Sequence, residues 1–233
     1  LSVFFGLRLL LSSEKNFIYA GLSRETAHQL GTPISSLLGW LELLDKKDHN
    51  NNQDIIDLMK ADVKKLETIT DKFNKIGSKP TLITLDLYDI LFDSVNYFSY
   101  KLPKTAKTEI VFNASKGLII KGDKILLNWA IENIIKNALE SLSKINNGKL
   151  YITAKIDNHN WIYIDFTDNG VGIQRKYKSK IFNPGFSTKK RGWGIGLNLS
   201  KRIINQLHYG NLNLIKTNSG NTTFRISLKF STS

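Results

Sequence analysis

Two series of apolar residues, spaced mostly three and four apart, set the first limit on what this chain can fold into. The first runs through Ala20, Ala27, Leu30, Ile34, Leu37, Leu41 and Leu44, the second through Ile55, Met59, Val63, Leu66, Ile69, Phe73 and Ile76. That spacing is the heptad seam of packed helices. The polar run "DKKDHNNNQD" between them is short enough to fold the two helices into an antiparallel hairpin. One hairpin has too little interior to bury both seams, so the expectation is a pairing of two copies into a four-helix bundle.

Beyond Pro80 the period changes. "TLITLD", "TEIVFNA", "GLIIKGD", "KLYITAKI", "WIYIDFTD", "NLNLIKT" and "TFRISLKF" read as strands, separated by helical stretches at about 87–102, 124–142 and 196–207. The expected fold class is α+β: a helical hairpin that dimerises into a four-helix bundle, followed by an α/β sandwich. The domain boundaries read as 14–78 and 79–233, with 1–13 as the end of an upstream signalling or juxtamembrane helix. The opening "LSVFFGLRLLL" is too short, and too interrupted by Arg8, to span a bilayer, and an upstream sensor or membrane region is expected outside this sequence.

The 233 residues carry a net charge of +13. Most of it is lysine, and no basic block interleaved with aromatics marks a nucleic-acid groove, so no nucleic-acid partner is expected. The excess reads as a solvated surface, or as steering of an anionic nucleotide or acidic partner. The absence of cysteine removes disulfides, thiolate metal sites and cysteine nucleophiles.

Three constellations carry chemistry. On the helix "KILLNWAIENIIKNALESL", Asn133 and Asn137 lie at i and i+4 on one face, away from the stripe of Leu127, Ile131, Ile134, Ala138 and Leu142. Asp168 closes a strand and is followed by Gly170 and Gly172, where backbone can approach a ligand. Gly192, Gly194 and Gly196 precede a helix, whose free N–H groups suit phosphate. Each alone reads equally as a solvated amide pair, a β-turn and a loop.

Taken in order, these pieces resemble the ATP-binding domain of sensor histidine kinases, in the wider family shared with gyrase, Hsp90 and MutL. "NIIKNA" matches the N box, "DNGVGI" the first glycine box, "FNPGFSTK" the lid segment, "GWGIGL" the second glycine box and "GNTTF" the last. The resemblance implies that Asp168 accepts from the adenine amino group with Thr222 in support, and that Asn137 and Asn133 hold Mg²⁺ and phosphates. It implies a lid from about Gln174 to Arg191, anchored by Phe182 and Phe186, with Lys189 and Arg191 as charge contacts. Lys136, Gly170, Gly172, Ile173, Gly192, Gly194, Gly196 and Leu197 complete the implied ATP site.

"ETAHQLGTP" resembles the H box of the same family, which implies that His28 is the phosphorylated residue. His28 lies one position past the seam and faces outward, and Pro33 is expected to kink the helix just after it. Thr32, four residues on, is where the family places a residue that assists dephosphorylation of the partner. The residue after the histidine is most often acidic in the family and here is Gln29; its amide oxygen can orient the imidazole but cannot take its proton. Glu25, three residues before, is the nearest carboxylate.

The implied activity is autophosphorylation on His28 from ATP with Mg²⁺, then transfer to an aspartate of a response-regulator receiver domain, with dephosphorylation of that regulator as a possible second activity. The implied protein is a homodimer, the cytoplasmic catalytic portion of a bacterial protein, with membrane anchoring left open. Relatives that hydrolyse ATP for conformational work carry a glutamate one turn before the metal asparagine. That position is Asn133 here and Glu132 is one residue off, which favours phosphoryl transfer. The competing reading is a non-catalytic scaffold, kept open by Gln29.

Overall fold

The computed structural model describes residues 2–46, 52–103, 107–143, 145–189 and 194–231, with the backbone alone for 2–18 and 46. The chain divides between Lys79 and Pro80 into two compact units.

The first unit is a helical hairpin of α1 (Ser2–Lys46) and α2 (Gln53–Gly77). α1 runs through Pro33 without ending. Proline has no N–H to give, so the carbonyl of Gln29, one turn back, loses its helical partner. Within one hairpin Leu22, Ile55 and Ile76 are buried. The Tyr19 hydroxyl donates to the Ile76 carbonyl at 3.2 Å, and the Trp40 indole N–H donates to Asp62 at 3.0 Å. The seam residues Ile34, Leu41, Val63 and Phe73 stay exposed in the single chain.

Among its described residues the second unit has two sheets. β1 (Ile83–Asp86) and β3 (Ile119–Gly122) form an antiparallel pair; a five-stranded sheet has the order β2 (Thr108–Asn113), β4 (Gly148–Ile156), β5 (Trp161–Asp168), β7 (Asn221–Lys229), β6 (Asn211–Asn218). β2 and β4 are parallel and the other neighbours antiparallel. α3 (Leu87–Lys101), α4 (Lys124–Leu142) and α5 (Gly196–Arg202) pack on this sheet, giving the α/β sandwich expected from the alternating strand runs.

Capping explains where two helices start. Asp86 accepts from the Tyr88 N–H and also ties down Gly117 and Leu118, while Asp123 accepts from Ile125 and Leu126. The core is α4's apolar stripe (Leu127, Ile131, Ile134, Ala138, Leu142) against Leu150, Ile152, Ile164, Phe166, Phe224 and Ile226, all buried. Each fully buried side chain of this size contributes roughly 1.5–3 kcal/mol.

One helix differs from its sequence expectation. The stretch 196–207 is α-helical only to Arg202 and finishes as a π-helical turn, Ile203–Leu207. Buried His208 supplies a physical reason. Its Nε2 accepts from the Asp123 N–H at 3.0 Å, which leaves Nδ1 as the protonated nitrogen, donating to the Ile203 carbonyl at 2.8 Å. The ring takes up a carbonyl that the closing turn would otherwise have to satisfy.

Candidate functional site

The period of β5 places its carboxylate. Ile162, Ile164, Phe166 and Asp168 are the buried set of that strand, so Asp168 is the last member of a row whose other members face the core. Thr222 lies opposite it on β7, and Thr217 lies opposite Thr222 on β6; the two hydroxyls are 3.1 Å apart. Asp168 accepts from the Gly170 N–H at 2.9 Å and from the Ser141 hydroxyl at the end of α4. Burial pushes its carboxyl above the usual carboxylate range, and these two hydrogen bonds oppose the shift only in part.

Glycine is required in the turn that follows. A Cβ on Gly170 would lie 2.6 Å from Asp168 Oδ1, and one on Gly172, whose φ is +76°, would lie 2.7 Å from the Asn218 carbonyl oxygen. The next N–H, of Ile173, donates to Thr217 Oγ1 at 2.9 Å. The first glycine box is thereby stitched to the strand pair that carries Thr222.

Asn133 and Asn137 both lie half-buried on α4, with Lys136 exposed between them. The Asn133 Nδ2 is buried with no partner among the described residues, and the position a Cβ of Gly196 would take is 3.7 Å from the same side chain. The start of α5, where Gly196 and Leu197 are half-buried, therefore abuts the N box. Asn137 Oδ1 accepts from Lys189 Nζ at 2.9 Å, and the same ammonium pairs with the Glu140 carboxylate. Glu132 points elsewhere: it accepts from Asn128 at 2.7 Å, and Asn128 in turn accepts from Ser94 on α3.

The segment between the glycine boxes is anchored at more than one point. Lys178 Nζ donates to the Thr217 carbonyl at 3.2 Å, and Asn198 Nδ2 of α5 donates to the Phe182 carbonyl at 2.8 Å. The Phe182 ring meets Phe224 edge-on at 6.3 Å and Phe186 packs on Tyr177 at 5.2 Å. Gly194, at φ +65°, passes so close to this segment that a Cβ would lie 2.6 Å from the Phe186 amide nitrogen. Arg191 and Gly192 lie outside the described residues.

In the helical unit His28, Gln29 and Thr32 are exposed and Glu25 is half-buried. Gln29 Nε2 donates to Glu25 Oε1 at 2.6 Å, so Glu25, three residues before His28 on the helix, is tied to the residue that follows it. Among the described residues no hydrogen bond of the Thr32 hydroxyl is found, whereas Ser23, Thr68 and Thr70 each bond the carbonyl four residues back. Of the other histidines, His159 lies in a turn capped by Asp157, His208 is a buried structural residue, and His49 is outside the described residues.

Sequence reasoning missed Ser141, Thr217, Glu140 and Asn198. Ser141 lies one turn beyond Asn137 and two beyond Asn133, so the face that carries the amides could have flagged it. Glu140, at i+7 from Asn133, shares that face as well; Thr217 and Asn198 depend on chain crossings that no local pattern encodes.

Residues 122–232 match the family described as histidine kinase-, DNA gyrase B-, and HSP90-like ATPase. Sporulation kinase B of Bacillus subtilis is 29% identical over 231 residues, covering 94% of this chain and 51% of its own length. Sporulation kinase A of the same organism is 28% identical, covering 94% of this chain and 36% of its own length. The chain thus spans about half the length, or less, of these curated relatives. In fold it is similar to full-length ShkA in complex with AMPPNP, with TM-score 0.63 and 21% identity over 91% of this chain and 46% of that one. It is also similar to histidine kinase ThkA in complex with response regulator protein TrrA, with TM-score 0.58 and 20% identity over 94% of this chain and 64% of that one.

Proposed function

We propose that this chain, whose residues 122–232 match the histidine kinase-, DNA gyrase B-, and HSP90-like ATPase family, is a sensor histidine kinase that phosphorylates itself on His28 from ATP and passes the phosphoryl group to an aspartate of a receiver domain. The observation that carries this reading is the buried Asp168 at the end of a core-facing row, one oxygen fixed by Gly170, beside Thr222 and the glycine turn. A carboxylate so placed reads the amino edge of a purine, and the glycine turns let backbone approach the nucleotide.

The residues of α4 fit Mg²⁺. Asn137 Oδ1 already holds a cation, the Lys189 ammonium, and Asn133 keeps a buried, unpartnered amide N–H beside the start of α5, a donor suited to a phosphate oxygen, with its own amide oxygen available to the metal. Asn137 and Asn133 would hold the metal, which when bound would neutralise phosphate charge. Lys189 supplies a further positive charge for the triphosphate.

In the proposed reaction a neutral His28 ring nitrogen attacks the γ-phosphorus. The N–P bond forms as the bond to the β-phosphate oxygen breaks, ADP leaves, and the ring proton on the other nitrogen is lost to an acceptor nearby. In the second step the N–P bond breaks as a receiver carboxylate oxygen takes the phosphoryl group. Thr32, whose hydroxyl has no hydrogen bond among the described residues, would orient a water toward the receiver phosphoaspartate, so that water attacks phosphorus, the bond to the carboxylate oxygen breaks and inorganic phosphate leaves. The exposed Ile34, Leu41, Val63 and Phe73 support a homodimer through residues 14–78, with 79–233 as the ATP-binding domain.

Incubation with γ-labelled ATP and Mg²⁺ tests the proposal. Acid-labile, base-stable label is expected on the wild type, absent from His28→Gln and strongly reduced in Asn137→Asp. A wild type that binds nucleotide but takes no label is a scaffold, and the phosphotransfer reading is then wrong.

A further inference from the structure

The ion pair between the lid and α4 bears on how the nucleotide site is controlled. Asn133, Asn137 and Glu140 occur at i, i+4 and i+7, on one face of α4. Asn137 and Glu140 converge on a single cation, Lys189 Nζ, at 2.9 Å from the amide oxygen and in direct contact with the carboxylate. The Glu140 oxygen that meets the lysine is shielded from solvent and has no other partner among the described residues. The seat therefore offers one neutral and one anionic oxygen, the donor types that a hard divalent cation also takes.

Resting on the histidine kinase reading above, we infer that Asn137 and Glu140 form one cation seat that Lys189 and a divalent metal occupy in turn, which makes Lys189 a tethered competitor of the metal and Glu140 a metal-site residue. Two cations cannot share these oxygens, because their mutual repulsion at contact distance is strong outside bulk water. Arrival of the metal ejects the lysine, and the ejected ammonium is then free to meet the phosphates that arrive with it. Glu140 in this way couples metal binding to the position of the lid. A merely structural ion pair at a half-exposed site would hold the lid equally well and would leave metal affinity untouched.

The test uses the whole chain and Mn²⁺ alone, read by paramagnetic broadening of the Asn133 and Asn137 side-chain amide signals. Removing an exposed charge competitor is expected to tighten the metal by about two- to fivefold in Lys189→Met, the range of exposed ion pairs. Lys189→Arg, which keeps the charge, is expected to behave as wild type. In the Lys189→Met background, Glu140→Gln is expected to weaken the metal again, since the carboxylate is then lost without release of a competitor. Unchanged Mn²⁺ affinity in Lys189→Met, or no effect of Glu140→Gln in that background, overturns the inference. Fluorescent-nucleotide binding to the same wild-type sample separates the two readings: binding intact with metal affinity insensitive to position 189 removes only the shared seat, whereas no nucleotide binding at all removes the underlying assignment as well.

Discussion

Thr222 stands directly across the β5–β7 ladder from Asp168, and its hydroxyl is linked to Thr217 on the next strand. The carboxylate is thus built into a sheet register and cannot be shifted without moving three strands. Burial raises its pKa, so the folded protein holds a proton there more readily than the unfolded chain does. Such a group contributes stability at low pH that is lost as pH rises through its folded value. Asp168→Asn is expected to weaken ATP at least tenfold in a fluorescent-nucleotide titration, by loss of a charged hydrogen-bond acceptor. In the same variant, thermal melts at pH 7 are expected to show equal or higher stability than wild type, with the advantage shrinking as pH falls toward the carboxylate range.

His208 titrates in the opposite sense. Burial lowers its pKa, and both ring nitrogens are used by the neutral form. The carboxylate of Asp123, facing it from the α4 cap, acts against the shift without reversing it. Stability from this residue is full above the ordinary histidine value and declines as pH falls below it, because the unfolded chain takes a proton that the folded ring refuses. Urea unfolding followed from pH 8 to pH 5 is expected to show that decline, and His208→Gln is expected to flatten it.

Gly172→Ala is expected to destabilise the ATP-binding unit by about 1–3 kcal/mol, the cost of a strained left-handed residue, since the new methyl would also press on the Asn218 carbonyl. Gly117→Ala serves as the comparison. That residue also has a positive φ, +89°, but no atom within 4 Å of the new methyl, so only the backbone cost applies. Equal losses in chemical denaturation would mean that the approach to Asn218 relaxes freely.

The Gln29–Glu25 hydrogen bond gives the position after His28 a defined chemistry. Gln29 spends its N–H on Glu25 and keeps its oxygen, which can orient an imidazole N–H but cannot accept the proton. Gln29→Glu removes that bond, places two carboxylates at i and i+4, and supplies a base; autophosphorylation is expected to rise about tenfold or more, with a helix cost of about 0.2–0.5 kcal/mol. Glu25→Gln is expected to slow the wild type and to matter less in Gln29→Glu. Strictly additive rates across that double-mutant cycle would show that Glu25 does not stand in for a base at position 29, and no effect of Glu25→Gln at all would show that it takes no part.

The elements were legible wherever one period dominated. The strand runs and the helix at 124–142 follow from alternation and from the Leu127–Leu142 stripe, and the glycine boxes were visible because glycine is the one residue that tolerates those turns. The π-helical turn was not legible, because its cause, His208, draws on Asp123 from far away in sequence. The seam of α1 was legible in spacing but not in what a single chain covers: Leu22 is buried although it lies off the seam, while Ile34 and Leu41, on it, are exposed. Within the candidate site, the residues that bind by backbone or by strand-end position could be read. Thr217 could not, since it meets Thr222 and Ile173 only across the sheet edge, nor could the partner of Glu140, since Lys189 comes from a distant segment.

The pairing of Trp40 with Asp62 sets how the hairpin can transmit motion. Asp62 is almost wholly buried, held by the Trp40 indole on one side and by Lys65 on the other. If α1 slid along α2 by even one residue, the indole would leave and the shielded carboxylate would keep Lys65 as its remaining side-chain partner. Longitudinal slip is thus penalised at one point, while rotation of both helices together leaves the pair intact. A push delivered along α1 should accordingly travel past His28 as a turn of the whole hairpin, in the manner of a keyed shaft.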